Sequence, residues 1–256
     1  MIEVAIPGAP IGVLRFAFDL EQPVQRDMAD DLTTGVYEPT TWNAIRSTLM
    51  RGDHAVDVGA HVGVLTCLMA ACVGPTGQVD AYEPNERNRE KLKEHLALND
   101  LHWVTVHPEA VGERTGRITF YACADNDGGH ARWNPGLVEA NHASRATPSA
   151  ASVQLVTLDE SLRYAGRIQF IKTDTEGGDF HVLKGAQDIV CRDHPAVISE
   201  IHRFGMRQLG TDEFTYRQWM RDHGYEATLL APDGQVRPLQ SDETVLGETV
   251  FNLLFE

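Results

Sequence analysis

Six side chains in this sequence stand where they could do chemistry together: Asp57, Glu83, Asp174, Glu176, Glu200 and His202. Each follows closely on an apolar run with the length and composition of a buried strand. In an open parallel sheet the carboxyl ends of the strands line one crevice. Acids and an imidazole gathered there can accept ribose hydroxyls, relieve a reacting hydroxyl of its proton, or hold a divalent cation. A single acid of this kind is more simply a helix cap or a solvated loop residue. Two neighbouring strand ends carrying Asp174 with Glu176, and Glu200 with His202, favour the chemical reading.

The first of these acids opens the sequence His54-Ala55-Val56-Asp57-Val58-Gly59-Ala60-His61-Val62-Gly63. It reads as a strand, a glycine turn and then a breaker-free apolar helix over 64–72. Glycines let the backbone approach a ligand, and N–H groups at a helix start favour polar or anionic atoms. The register differs from the dinucleotide fingerprint G-x-G-x-x-G, since an acid stands two residues before the first glycine. A negative charge there opposes a pyrophosphate and suits a ligand with an amine and hydroxyls, of which S-adenosylmethionine is the leading candidate. Glu83, 26 residues after Asp57, closes the next predicted strand and is followed by Pro84 and Asn85. A carboxylate at that place can accept both ribose hydroxyls.

The elements that must position these residues follow from the pattern around them. A hairpin is predicted over 2–20, a loop or short helix over 25–34, and a helix over 39–50. From 54 to 200 strands alternate with helices, which argues a parallel sheet; the strand-rich end argues an antiparallel edge. Within this, 117–122 reads as an antiparallel or edge strand, 153–158 as a strand, and 180–190 as one helix. Residues 123–151 show no period and hold His130, Trp133 and His142. So long an insert is expected to be a lid over the substrate pocket. The domain expectation is an N-terminal hairpin and helix extension over 1–50, then one catalytic domain over 51–256.

Composition narrows the class. The 256 residues carry 37 acids against 22 lysines and arginines, a net charge of −15. Nucleic acid or an anionic membrane is therefore not expected as partner. Four cysteines without C-x-x-C spacing suggest reduced thiols rather than disulfides or a zinc site. No apolar run reaches the length of a membrane span and no leader pattern is seen, so a cytoplasmic protein is expected. The oligomeric state stays open, a homodimer included.

Three stretches together resemble the FkbM-type S-adenosylmethionine-dependent methyltransferases: Val56-Asp57-Val58-Gly59-Ala60-His61-Val62-Gly63, Tyr82-Glu83-Pro84-Asn85, and the run from Ile171 through Asp174, Glu176, Gly177 and Asp179 to Lys184-Gly185-Ala186. The first two are shared widely among class I methyltransferases; the third is the more specific. The resemblance extends to Tyr37-Glu38-Pro39 and to Glu200-Ile201-His202. It implies a seven-stranded Rossmann-like sheet, mostly parallel with an antiparallel edge and helices on both faces. It also implies O-methylation of a small-molecule hydroxyl on a sugar, polyketide or other secondary metabolite.

On that reading the cofactor would meet Glu38, Asp57, Gly59, Ala60, Gly63, Glu83, Pro84, Asn85, Glu109, Ala110 and Asp174. Asp57 and the turn would hold the methionine part, Glu83 the ribose, and Glu109 with Ala110 the adenine edge. Asp174, Glu176, Glu200 and His202 would orient or deprotonate the acceptor, with His130, Trp133 and Asp179 shaping its pocket. Magnesium would lower the hydroxyl's pKa if held by Asp174, Glu200 and His202; metal dependence stays open. Two rivals remain: an NAD-type oxidoreductase on a similar sheet, and a non-catalytic binding or scaffold domain.

Overall fold

Proline and glycine punctuate the first hundred residues. The computed structural model describes residues 1–35, 37–122, 149–231, 233–240 and 242–256. Strands β1 (Ile2–Ala5) and β2 (Val13–Phe16) pair antiparallel as the expected hairpin. Helix α1 (Pro23–Thr34) starts on a proline, which is pre-set for the first turn, and stops at Gly35 with φ 75°. Helix α2 (Pro39–Thr48) likewise begins on a proline, directly after Glu38 in the left-handed region. Strand β3 (His54–Val58) and helix α3 (Val64–Val73) are buried along their whole length. They form the centre on which the rest is laid.

Strand β4 (Gln78–Tyr82), helix α4 (Glu86–Leu98) and strand β5 (Val104–His107) continue the parallel sheet on one side. Short β6 (Ala110–Val111), β7 (Gly116–Ala122) and β8 (Ser149–Val156) form a separate three-stranded sheet. Next come α5 (Leu158–Ser161), β9 (Phe170–Thr173), α6 (Asp179–Lys184), α7 (Gln187–Asp193) and β10 (Ala196–His202). The chain ends with α8 (Arg203–Gln208), α9 (Glu213–Asp222), β11 (Ala227–Leu230), β12 (Val236–Pro238) and β13 (Val250–Phe255).

The main sheet has the order β12-β11-β13-β10-β9-β3-β4-β5. Strands β10, β9, β3, β4 and β5 run parallel; β13 pairs antiparallel with β10, β11 with β13 and β12 with β11, so β13 and β12 run against the rest. This is the expected Rossmann-like architecture, with eight strands instead of seven. The additional one is β12, three residues long and ending in Pro238 at the sheet's edge, where a missing N–H costs least. Hydrophobic clusters pack both faces. One joins Phe16, Met28 and Ile45 of the N-terminal segment to α3 and α4. The other joins Phe180, Ile189 and Tyr216 to the opposite face. Residues 1–50 therefore share a core with the strand and helix around the glycine turn.

Three expectations on elements change. Strand 117–122 leaves the main sheet and pairs with β8, whose start at Ser149 takes residues 149–151 out of the expected lid. The remaining lid residues, 123–148, with His130, Trp133 and His142, lie outside the described residues. The single helix expected over 180–190 is two helices broken at Gly185, because a Cβ there would land on the Gly112 carbonyl oxygen.

Candidate functional site

The order of the parallel strands puts a crevice at one place. The chain lays β3, β4 and β5 outward, then crosses back to build β9 and β10 on the other side of β3. The ends of β3 and β9 therefore diverge into loops that leave opposite faces, and ligands bind in the gap. The two ends touch closely. Asp174 N–H donates to the Val58 carbonyl at 2.9 Å. A Cβ on Gly59, whose φ is +81°, would land on the Asp174 carbonyl oxygen. Glycine is required there by both conformation and space.

A cleft of about 1110 Å³, open mouth included, extends from this contact. One end is walled by Tyr82, Glu83, Pro84, Glu109 and Ala110, the other by Tyr37, Glu38, Lys172, Asp174, Thr175, Glu176 and Glu200. Glu83 is held by two backbone donors: His61 N–H to Oε2 at 2.8 Å and Asn85 N–H to Oε1 at 2.7 Å. Burial outweighs those donors and pushes its pKa up to about 7. Below it, Asp80 accepts from His54 and His107 at 2.6 Å each, and the His107 ring stacks on Tyr82 at 4.3 Å. Burial would raise the Asp80 pKa, but the two imidazole hydrogen bonds hold it down to about 2.

The glycine turn spends its own donors. Gly59 and Ala60 N–H both donate to the Tyr82 carbonyl at 3.0 Å, Gly63 N–H donates to Ala60, and His61 N–H donates to Glu83. The turn is therefore a rigid floor with a carboxylate beside it, not a nest of free amides for an anion. A pyrophosphate finds no charge match here. A ribose does, because each Glu83 oxygen retains a lone pair beyond its backbone donor.

At the other end a buried lysine organises the acids. Lys172 Nζ lies 3.4 Å from Asp57 Oδ1, 3.4 Å from Asp174 Oδ2 and 3.3 Å from the Gly59 carbonyl oxygen. Its position follows from register, since Lys172 pairs with Asp57 across β9 and β3. Burial disfavours its charge, yet Asp57, Asp174 and Glu38 together hold its pKa above the ordinary lysine value. Glu38 is raised by burial and then by Asp174. Glu200 is raised well above the usual carboxylate range by burial, and further by Asp174, Glu176, Asp179 and Glu38. Among the described residues its Oε2 is buried with no hydrogen-bond partner, as is Thr175 Oγ1 in the same wall.

Of the expected cofactor residues, Glu38, Gly59, Ala60, Glu83, Pro84, Glu109, Ala110 and Asp174 line the cleft, and of the expected catalytic residues Asp174, Glu176 and Glu200. Asp57 lies behind the wall, fully buried, accepting from Thr66 Oγ1 at 2.6 Å. Gly63 starts α3 with φ 85°, and Asn85 caps α4 by accepting from Arg87 N–H. Asp179 accepts from Thr175 and Gly177 N–H at 3.2 Å each and so shapes the loop after β9. Burial, with Asp174 nearby, raises its pKa to about 7. His202 accepts from Gly205 N–H at 2.9 Å and faces Glu176 at 3.4 Å. It positions Glu176 from behind rather than facing the cleft. His130 and Trp133 lie outside the described residues.

Magnesium, left open above for Asp174, Glu200 and His202, gains no support from their surroundings. Asp174 is committed to the Lys172 ammonium and His202 to Glu176 and a helix start. No group of three or more His, Cys, Asp or Glu among the described residues could hold a metal ion. The sequence reading gave no role to Lys172, Ile118 or Phe120, all of which line the cleft. Only Lys172 left a signal, as a lone charge inside an apolar strand.

A family model described as the methyltransferase FkbM domain matches residues 57–227. No curated protein matches the chain. Among solved structures, methyltransferase FkbM from Methylobacillus flagellatus KT superposes with a TM-score of 0.51 at 21% identity, covering 94% of this chain and 56% of that one. The likeness is one of fold, and the chain spans little more than half of that relative's length. Aeropyrum pernix fibrillarin, solved with natively bound S-adenosyl-L-methionine, matches with a TM-score of 0.46 at 12% identity over 81% of this chain and 67% of that one.

Proposed function

Because the chain belongs to the FkbM methyltransferase family, we propose that it transfers the methyl group of S-adenosylmethionine to a hydroxyl of a small molecule. The observation that carries this reading is the single cleft in which Glu83 stands at one end and the Lys172-centred acids at the other. No helix among the described residues is long and apolar enough to cross a membrane.

The residues present suit this cofactor. Glu83 would accept hydrogen bonds from the two ribose hydroxyls, Glu109 and Ala110 would border the base, and the Gly59–Ala60 floor would admit the ligand closely. Glu38 and Asp174 offer carboxylates to an amino group, and Asp57 supports them indirectly through Lys172. When bound, the cofactor supplies an electrophilic methyl group on a positively charged sulfur. Glu200 takes the acceptor's proton. A carboxylate with a raised pKa is a stronger base than a solvated one and lies nearer the working pH. It must first lose its own proton, which a positive charge entering the cleft favours. Glu176, oriented by His202, and Asp174, anchored by Lys172, would orient the acceptor hydroxyl, and such alignment contributes much of the rate.

Calorimetric titration with S-adenosylmethionine and, separately, NAD tests the first half. The first should bind and the second should not; the reverse would restore the oxidoreductase reading. Formation of S-adenosylhomocysteine with hydroxylated acceptors tests the second half, and its loss in Glu200→Gln with cofactor binding retained separates an enzyme from a binding domain.

A further inference from the structure

A second cavity, about 730 Å³ with its mouth, adjoins the cleft between the first turn of α2 and the antiparallel half of the sheet. Strand register builds its floor. Asn252 pairs with Glu200 on one side and with Leu230 on the other, so the three side chains stand in one row on one face. Glu38, Asp174 and Glu200 line this cavity and the cleft alike. A molecule in one space therefore meets a molecule in the other at these carboxylates.

The chemistry of the wall is one-sided. Three carboxylates line it, and among the described lining residues there is no Lys, Arg or His. Lys172 is outside this wall and already faces Asp57 and Asp174. The neutral donors are spent as well. Asn252 Nδ2 donates to Thr41 Oγ1 at 2.9 Å and to Glu38 Oε2 at 3.4 Å, and Thr40 Oγ1 donates to the Ala231 carbonyl at 3.3 Å. Glu200 Oε2 is buried without a donor among the described residues. A buried carboxylate oxygen left this way is costly until a ligand donor reaches it.

We propose that this cavity seats the methyl acceptor, and that the acceptor is a hydroxylated compound bearing a protonated amine, such as an amino sugar or amino alcohol. The proposal rests on the methyl-transfer reading above. The ammonium offsets the excess of carboxylates on the Glu38 side, and the hydroxyl lies at the Asp174–Glu200 border with the cleft. Acceptors carrying a carboxylate or phosphate would add negative charge beside Glu38, Asp174 and Glu200, with no Lys, Arg or His among the described lining residues to offset it, and are turned away.

The test uses the protein saturated with S-adenosylhomocysteine and titrated with glucosamine, glucose and glucuronate, followed by calorimetry. Glucosamine should bind at least about tenfold more tightly than glucose, with glucuronate weakest. Asn252→Lys places the protein's own ammonium in the cavity; compared at saturating S-adenosylhomocysteine, it should erase the glucosamine preference. If that variant does not fold, the wild-type series decides alone. Three indistinguishable sugars, including three that do not bind, overturn the proposal. So does exclusion of glucosamine by S-adenosylhomocysteine, which would make the cavity the seat of the cofactor's own amine. Failure of S-adenosylhomocysteine itself to bind overturns the methyl-transfer reading and the proposal with it, and is seen before any sugar is added.

Discussion

Glu83→Gln keeps the volume of the side chain and removes its charge. In the wild type both carboxylate oxygens accept from the backbone, at 2.8 and 2.7 Å, and burial raises the pKa from 4.5 to about 7. At roughly 1.4 kcal/mol per pKa unit, holding the charge there costs about 3 kcal/mol. Two ribose hydroxyls donating to the ionised form contribute about 1.5–3 kcal/mol each, enough to offset that cost. Ligand binding therefore favours the ionised carboxylate. Below the folded pKa a proton must leave first, so affinity for S-adenosylhomocysteine should fall up to about tenfold per unit below about pH 7 and level off above it. The variant has no such step. One of its two backbone donors would also face an amide nitrogen, a further loss of about 1–3 kcal/mol. Calorimetric titrations of both proteins from about pH 5.5 to about pH 8.5 measure this; the ligand's own amino group, titrating near about pH 8, cancels in the difference. Parallel curves, or a variant as tight as the wild type at high pH, would refute the ribose assignment.

Lys172→Met leaves Asp57 buried without its counter-charge and should cost about 3–5 kcal/mol in urea unfolding. Adding Asp57→Asn should recover most of that loss, and a double variant no better than the single would contradict the pairing. Glu200→Gln should lower S-adenosylhomocysteine formation by about 10²–10⁴ while cofactor affinity moves less than about threefold. In the wild type kcat should climb with pH as Glu200, whose pKa is raised, loses its proton; that rise should be absent from the variant. Gly59→Ala should destabilise the fold by about 2–4 kcal/mol in thermal melts and abolish cofactor binding.

What could be read in advance depended on how local each cause was. The β3–turn–α3 unit was legible because burial along the whole of both elements leaves an uninterrupted apolar pattern around Gly59 and Gly63. Glu83, Asp174 and Glu200 were legible because a strand end is visible in sequence and the crevice rule then gathers such ends. Lys172 was not, since its role arises from the pairing of β9 with β3, which brings it opposite Asp57 across more than a hundred residues of chain. His202 could be seen but not oriented: helix α8, which it caps, lacks a periodic apolar face long enough to announce itself. The break at Gly185 and the separate β6–β8–β7 sheet have the same origin, a close approach of backbone segments distant in sequence. Glycine inside a helical pattern was the trace of it.

The contact between Gly59 and residue 174 differs in kind from an ordinary tight fit. Two side chains in conflict can be reconciled by shrinking either one. Here the obstacle is a main-chain carbonyl oxygen, which every amino acid carries whatever is encoded at 174. No substitution at that position can make room for a Cβ at 59. Second-site suppressors of Gly59→Ala, selected for restored folding, should therefore fall where they alter the path of the loop from Thr175 to Gly178. In design terms, the turn and the end of β9 form one unit, and any graft of this cleft onto another sheet must carry both strand ends together.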